Sequence, residues 1–150
     1  MSGNSFIIRK MSAADIGAVS EIEKLCFSSP WTREGLTSEL TNPQAEFFVL
    51  ECNGSVAAYM GMHIVLDECY IANVAVLPAY RNKGFGLRLV ENAISIAREK
   101  QCSFITLEVR VSNAPAISLY GKCGFESVGE RKNFYSSPTE NALIMTRYLT

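Results

Sequence analysis

Apolar positions recur along the chain with two periods, and each period predicts a different kind of element. A spacing of three or four residues predicts four helices, over residues 12–26, 32–40, 86–100 and 113–123. Alternation and short apolar runs predict seven strands, over residues 6–9, 47–52, 56–66, 70–77, 103–111, 125–131 and 142–148. This order of elements indicates one α/β (α+β) domain over residues 1–150.

Two local signals support these boundaries. Asn53-Gly54 stands between two apolar runs, and this dipeptide is the strongest short-range indication of a β-hairpin. Ser12 precedes the first helix by one residue and Asp15 stands three residues later, as in a helix N-cap. We expect that helix to bury its apolar residues, which are Ile16, Val19, Ile22, Leu25 and Cys26.

Composition and charge narrow the class of protein. A hydrophobic fraction of 48% and a charged fraction of 19% are typical of a packed domain and exclude global disorder. Fourteen Lys and Arg against fifteen Asp and Glu give a net charge of -1, which argues against nucleic acid as a direct partner. The longest apolar stretch, residues 56–66, is far shorter than the ~20 residues of a membrane helix.

The cysteines and the N-terminus bear on the cellular compartment. Five cysteines without a Cys-x-x-Cys pair predict neither a disulfide framework nor a zinc site, and we expect no metal. Reduced thiols of this kind behave as small apolar residues of a core. Residues 1–10 lack an apolar signal core. We therefore expect a cytoplasmic protein that does not associate with membranes.

A loop between a strand and a helix carries the main chemical signal. Residues 73–87 read NVAVLPAYRNKGFGL, so a buried strand leads through basic residues and two glycines into a helix. Glycines let a ligand approach the main chain, and free N–H groups at a helix start attract negative charge. Neither a Walker loop nor a dinucleotide-binding pattern is present. The loop is predicted to be an anion cradle, with a solvated turn as the alternative.

Taken together, the motifs resemble the GCN5-related N-acetyltransferase (GNAT) superfamily. The resemblance rests on Arg81-x-x-Gly84-x-Gly86 after Val74-Ala75-Val76, followed by Asn113, Ala116, Tyr120 and Gly124-Phe125. Residues 27–31, 107–110, 112–114, 119–120 and 131–135 further resemble the ribosomal-protein-alanine N-acetyltransferases of the RimI type. The resemblance extends over about residues 7–149. It implies a mixed, mostly antiparallel central sheet flanked by helices.

The resemblance also implies acetyl-CoA as cosubstrate and assigns residues to it. Strand main chain would pair with the pantetheine amides, and loop N–H groups would hold the pyrophosphate. The implied residues are Val74, Ala75, Val76, Arg81, Asn82, Lys83, Gly84, Phe85, Gly86, Leu87 and Asn113. Asn113 has a second interpretation as a helix N-cap. Arg-Asn-Lys-Gly replaces the Gln-Arg-Arg-Gly frequent in related enzymes, so we expect weaker side-chain pairing to phosphate.

Two further residues are implied to handle protons. The family would make Glu108 the general base and Tyr120 the general acid; the alternatives are a solvated strand carboxylate and a core aromatic. A weak base suits an N-terminal amine, which is roughly 10% neutral at pH 7 against about 0.04% for lysine. His63 has no implied role, and we expect it to be structural. We expect direct transfer rather than an acyl-enzyme on Cys123, because no base is evident beside that thiol.

The leading interpretation is an acetyltransferase that acts on a protein N-terminus, namely the N-terminal alanine of a ribosomal protein. One alternative is an enzyme that acetylates lysine side chains or a small-molecule amine. The other is a catalytically silent acetyl-CoA-binding module that regulates a partner. We expect acceptor choice to depend on residues 27–36 and on a loop over residues 131–141.

Overall fold

A seven-stranded sheet forms the frame of the computed structural model, which describes residues 5–149. Its strands are β1 (Phe6–Lys10), β2 (Ala45–Cys52), β3 (Ser55–Val65), β4 (Glu68–Val76), β5 (Phe104–Arg110), β6 (Glu126–Tyr135) and β7 (Glu140–Tyr148). The helices are α1 (Ile16–Cys26), α2 (Arg33–Glu39), α3 (Phe85–Glu99) and α4 (Ala114–Lys122). The strand order is β1-β2-β3-β4-β5-β7-β6, and only β4 and β5 are parallel. The predicted mixed, mostly antiparallel sheet is confirmed.

The sheet opens between its two central strands. The β4–β5 ladder contains three residue pairs, from Glu68 opposite Phe104 to Tyr70 opposite Thr106. Beyond Tyr70 the strands diverge, although β4 runs on to Val76 and β5 to Arg110. The divergence leaves a slot in the middle of the sheet.

Each face of the sheet is covered by its own hydrophobic core. On one face, α3 buries Leu89, Val90 and Ala93 against β2, β3 and β5. On the other face, α1 and α2 bury Ile22 and Leu36 against the opposite side of β2 and β3. No helix in the described part of the chain is long and apolar enough to cross a membrane.

Most predicted elements are confirmed to within a few residues, and the hairpin is confirmed in detail. Asn53 and Gly54 have φ angles of 52° and 85°, which is the pair of left-handed residues that a type I′ turn requires. Two residues of α1 depart from their predicted burial: Leu25 is 64% exposed, so its predicted burial is wrong, and Cys26 is only partly buried. Glu23 is fully buried instead.

The C-terminal hairpin is longer than the sequence predicts. The predicted loop over residues 131–141 is largely strand, because β6 continues to Tyr135 and pairs there with Glu140 of β7. Only the β6–β7 turn, residues 136–139, lies outside the strands. Strand β6 has almost no buried side chain, so its apolar pattern stops short of its true end.

Candidate active site

The slot between β4 and β5 opens into a cavity of 470 Å³. Its lining comes from both faces of the sheet, from α1 and the α1–α2 loop (residues 27–32) on one face and from α4 on the other. Four of the predicted site residues line this cavity: Val74, Glu108, Asn113 and Tyr120. Side chains far apart in the sequence therefore meet at one opening in the sheet.

Part of the β4 main chain faces the slot instead of pairing with β3. The carbonyl oxygen of Val76 accepts hydrogen bonds from Arg81 Nε at 3.1 Å and from the thiol of Cys26 at 3.5 Å, so it points away from β3. The next N–H group, that of Leu77, donates to the carbonyl oxygen of Ala57 at 2.9 Å and therefore points toward β3.

These directions alternate along an antiparallel strand, because successive residues present their main-chain groups to opposite edges. Val74 and Val76 therefore turn their N–H and C=O groups toward the slot, whereas those of Ala75 face β3. The side chain of Ala75 is buried in the core beneath α1. Of the three predicted residues on this strand, two can offer main-chain hydrogen bonds to a ligand.

The predicted anion cradle follows β4 and opens α3. Gly84 is the N-cap of α3 with a φ of 81°, a conformation that only glycine adopts without strain. The N–H group of Arg88 donates to the Gly84 carbonyl at 3.1 Å, so the helical ladder begins there. The N–H groups of Phe85, Gly86 and Leu87 precede that ladder and have no acceptor among residues 5–149.

The side chains of this loop divide into two groups. Arg81, Asn82 and Lys83 are mostly exposed, and Asn82 has a φ of 64°. Phe85 is buried, and the centroid of its ring lies 5.4 Å from that of Phe6. Only the main chain of Phe85 can therefore contact a ligand.

Gly86, the second glycine of the loop, lies where the predicted anion-binding loop meets the slot. A Cβ atom on Gly86 would lie 3.2 Å from Leu119 of α4 and 3.9 Å from Val76 of β4. The N-terminus of α3 thus sits directly between the end of β4 and α4, where the slot ends.

Tyr120 presents its hydroxyl to the cavity from α4. Its ring packs against that of Phe125 with the two centroids 5.7 Å apart, and the residue is 7% exposed. The hydroxyl has no hydrogen-bond partner among the described residues, yet it is not sealed in the core, since Tyr120 lines the cavity. Burial raises the pKa of this phenol above its ordinary value, so it is protonated at neutral pH.

Glu108 faces the same cavity from β5, on the polar face that it shares with Thr106 and Arg110. Its carboxylate accepts a charge-assisted contact from Arg131 Nε at 3.1 Å, and its side chain is 31% exposed. A carboxylate at the cavity wall that is partly solvated can accept a proton from a group arriving there.

Asn113 caps α4 and also lines the cavity. Its side-chain oxygen accepts from the N–H group of Ala116 at 3.2 Å, which is the N-cap bond expected from the sequence. The cap uses the oxygen and leaves the amide NH₂ as a donor at the cavity wall.

Two charged residues that line the cavity were not predicted as site residues. Glu23 lies beneath the α1–α2 loop, and Arg110 reaches from β5 over the β6–β7 turn. The guanidinium carbon of Arg110 lies 4.5 Å from the ring centroid of Tyr135. The same guanidinium donates to the carbonyl oxygens of Ser136 and Pro138, both at 2.9 Å. The helical period conceals Glu23, because it treats a charged residue as a surface residue.

Other polar candidates lie away from the chemistry. His63 Nε2 pairs with Glu39 at 2.9 Å and links β3 to α2, as a structural histidine does. Cys123 is buried, and burial raises the pKa of its thiol, which makes it a poor nucleophile. Within residues 5–149, no group of three His, Cys, Asp or Glu side chains is placed to hold a metal.

The known proteins that match this chain belong to one enzyme family. The model of the acetyltransferase (GNAT) family matches residues 16–125. A Bacillus subtilis relative, provisionally named a ribosomal protein bS18-alanine N-acetyltransferase, is 44% identical over 139 residues, covering 92% of each chain. The ribosomal protein bS18-alanine N-acetyltransferase of Escherichia coli K12 is 34% identical over 140 residues, covering 92% of this chain and 94% of its own.

The structural comparison agrees with the sequence comparison. The crystal structure of the ribosomal-protein-S18-alanine N-acetyltransferase from Escherichia coli matches with a TM-score of 0.90 at 32% identity, covering 97% of this chain and 95% of that one. The predicted resemblance to GNAT enzymes, and among them to the ribosomal-protein-alanine type, is confirmed. This chain is an N-acetyltransferase that belongs to the GNAT family.

Proposed function

We propose that this enzyme transfers the acetyl group of acetyl-CoA to the α-amino group of an N-terminal alanine, with ribosomal protein bS18 as its acceptor. The observation that carries the proposal is the slot, where main-chain groups of β4 that point away from β3 lie beside Glu108 and Tyr120. The names of the relatives supply the acceptor. Such an acceptor would place the reaction in the cytoplasm.

The residues of the slot fit the coenzyme. Val74 and Val76 would pair with the two amides of the pantetheine arm, as an added strand would. The free N–H groups at the start of α3 would hold the pyrophosphate, aided by the helix dipole. Arg81 now binds the carbonyl of Val76, so it would give up that bond to the incoming amide. Asn113 would donate from its free NH₂ group.

The proton steps follow from the two side chains at the cavity wall. The neutral amine nitrogen attacks the thioester carbonyl carbon, a C–N bond forms, and the C–S bond breaks. Glu108 would accept the proton that the nitrogen loses, through water. Tyr120 would donate its phenolic proton to the departing sulfur, and its raised pKa means that the phenol carries this proton at neutral pH.

The acceptor would enter from the side opposite the coenzyme. We call this the acceptor side; it consists of the α1–α2 loop and the β6–β7 turn. An N-terminal amine suits a single carboxylate as base, because roughly 10% of it is already neutral at pH 7. A small first side chain also reduces steric conflict between this wall and the thioester.

A peptide assay tests the proposal. A short peptide with a free N-terminal alanine should be acetylated on its α-amine, as located by mass spectrometry. The same peptide with a blocked N-terminus and an internal lysine should be inert. Equal acetylation of that lysine would favour a side-chain acetyltransferase. Tight acetyl-CoA binding without turnover of any peptide would favour an N-acetyltransferase of small-molecule amines.

A further inference from the structure

A buried carboxylate lies under the cavity without a counter-ion. Glu23 of α1 is fully buried, and no Lys, Arg or His of the described chain forms an ion pair with it. Burial raises the pKa of this carboxyl group above its ordinary value. Buried charged residues without a cation are costly for stability, so core packing alone does not account for a glutamate here.

Three neutral donors compensate for this burial, and they come from three parts of the chain. The main-chain N–H group of Trp31 donates to Oε1 at 2.7 Å. The Asn73 amide donates to Oε2 at 2.9 Å, and the hydroxyl of Tyr59 donates to the same oxygen. These donors lie on the α1–α2 loop, on β4 and on β3, so one carboxylate joins three elements.

Glu23 also holds the α1–α2 loop at both ends. Its carbonyl oxygen accepts from the N–H group of Phe27 at 2.9 Å, where α1 ends. Its carboxylate accepts from Trp31, just before α2 begins. The exposed segment between these two points, Ser28 to Pro30, includes two serines that line the cavity.

The other end of the link lies on the strand that faces the slot. Asn73 precedes Val74 on β4, whose main-chain groups point into the slot. The path from Trp31 through the carboxylate to Asn73 contains two hydrogen bonds. It fixes the distance between the acceptor side and the β4 edge.

We propose that Glu23 is a positioning residue. It holds the α1–α2 loop at a fixed distance from β4, so that the acceptor amine and the thioester carbonyl lie within reacting distance. This inference rests on the proposed function for the identity of the two substrates. Its physical basis is that a displacement of about 1 Å at a reacting centre costs up to about a hundredfold in rate.

Glu23→Gln breaks the link with little change of volume. Trp31 and Asn73 donate to different oxygens of the carboxylate, and an amide retains only one of these oxygens, so Glu23→Gln loses at least one of the two bonds. Trp31 is the single tryptophan of the chain, and it therefore reports on the loop directly. We expect acrylamide quenching of its fluorescence to rise about twofold in the folded variant, because local opening exposes the ring.

The kinetic expectation separates positioning from simple loss of stability. In Glu23→Gln the KM for the alanine peptide should rise about tenfold, while the KM for acetyl-CoA stays within about twofold of the wild-type value. The matched control is Ile22→Val, the neighbouring buried position on α1, which removes a methyl group and no hydrogen bond. It should change neither the quenching nor the KM for the peptide.

Two further variants keep the test decisive. Tyr59→Phe removes one donor but preserves the path from Trp31 to Asn73, so its peptide KM should stay near the wild-type value. If Glu23→Gln does not fold, Asn73→Ala cuts the same path at β4 and should raise quenching and peptide KM likewise.

The inference and the proposed function fail in different ways. Quenching in Glu23→Gln equal to that in Ile22→Val, or a KM for acetyl-CoA that rises in step with that of the peptide, overturns the positioning role. Absence of alanine-peptide acetylation by the wild-type enzyme overturns the proposed function instead. The quenching comparison still decides the role of Glu23 in that case, because it requires no turnover.

Discussion

The two sides of the cavity are built in different ways. The proposed coenzyme side, which consists of the β4 edge at residues 74–76 and the loop at residues 81–87, offers mainly main-chain groups. The acceptor side is held by side chains that reach across the fold, Glu23 to the α1–α2 loop and Arg110 to the β6–β7 turn. A main-chain site depends on backbone conformation, whereas a side-chain site depends on individual residues.

This difference indicates how the two sides respond to change. Substitutions of most side chains on the coenzyme loop leave its N–H groups in place, provided that the backbone keeps its conformation. A single substitution at Glu23 or Arg110 removes two or more bonds at once. We therefore expect point mutations to alter acceptor recognition while leaving the proposed coenzyme site intact.

The largest effect is expected at Tyr120, where the two sides meet. Tyr120→Phe should lower kcat by roughly 10²–10⁴-fold, because the departing sulfur loses its proton donor. Coenzyme affinity and stability should stay the same, since the hydroxyl has no hydrogen bond within the described chain. Steady-state kinetics and calorimetry with CoA measure these quantities.

Tyr148→Phe, at an exposed position of β7, is the matched control and should leave kcat unchanged. Undiminished turnover in Tyr120→Phe would assign Tyr120 to the core instead of the chemistry.

A smaller effect, confined to the acceptor side, is expected at Arg110. Arg110→Met removes the donors that hold Ser136, Pro138 and Glu140, so the β6–β7 turn loosens. The KM for the peptide should rise about tenfold, the equivalent of one charge-assisted hydrogen bond. The dissociation constant for CoA should be unaltered.

Arg88→Met, which removes an exposed arginine of α3 paired with Glu91, is the control for loss of charge. A CoA affinity that weakens together with peptide binding in Arg110→Met would mean that the two sides are not separate.

The coenzyme side should respond to backbone change rather than to side-chain size. A Cβ atom on Gly84 would meet nothing within 4 Å, but its φ of 81° is strained for alanine by about 1 kcal/mol. In Gly84→Ala the free loop relaxes and must return to this conformation to bind, so CoA affinity should fall about fivefold. Isothermal calorimetry measures the change.

Gly54 provides a matched control, because it has a φ of 85° and equally open surroundings at the β2–β3 turn. Gly54→Ala should lower stability without altering CoA binding. Equal CoA affinities in Gly84→Ala and the wild-type protein would argue against a main-chain cradle.

The smallest effect on catalysis is expected far from both sides, at Arg9. Its guanidinium donates to Asp15 at 2.8 and 2.9 Å and holds the pKa of that carboxyl below its usual range. Arg9→Met should cost about 1–2 kcal/mol of unfolding free energy above about pH 4, with both KM values unchanged.

The pH dependence of that cost has a defined sign. A carboxyl with a lowered pKa in the folded state contributes stability above its unfolded pKa, and this stability disappears as pH falls through the folded pKa. Urea unfolding at pH 7 and at successively lower pH should show the two proteins converging. A constant difference down to the lowest pH would remove Asp15 from the explanation.

The local conformation of the proposed coenzyme side could be predicted from sequence, because the signals that determine it act within a few residues. Gly84 at a helix start and Asn53-Gly54 at a hairpin act within a few residues, and both adopt the backbone that their types favour. Asn113 as an N-cap is equally local. Helix and strand periods likewise gave most of the elements, since they reflect which face is buried.

The acceptor side could not be predicted in this way, because its bonds join distant residues. Glu23 and Asn73 are 50 residues apart, and Arg110 reaches residues 26 and 28 positions away. A periodic pattern also assigns faces by hydrophobicity, which is why it placed Leu25 inside and overlooked Glu23. Strand β6 extended farther than predicted because pairing with β7, not burial, maintains it.

The short β4–β5 ladder makes the fold itself incomplete. A seven-stranded sheet normally pairs its central strands along their length, but here the pairing ends after Tyr70. A ligand that bonds to Val74 and Val76 would continue the ladder and bind only the folded chain. By thermodynamic linkage, a hundredfold excess over its dissociation constant adds about 2.7 kcal/mol to the unfolding free energy. The cellular level of acetyl-CoA would thus help to determine how long this protein survives proteolysis.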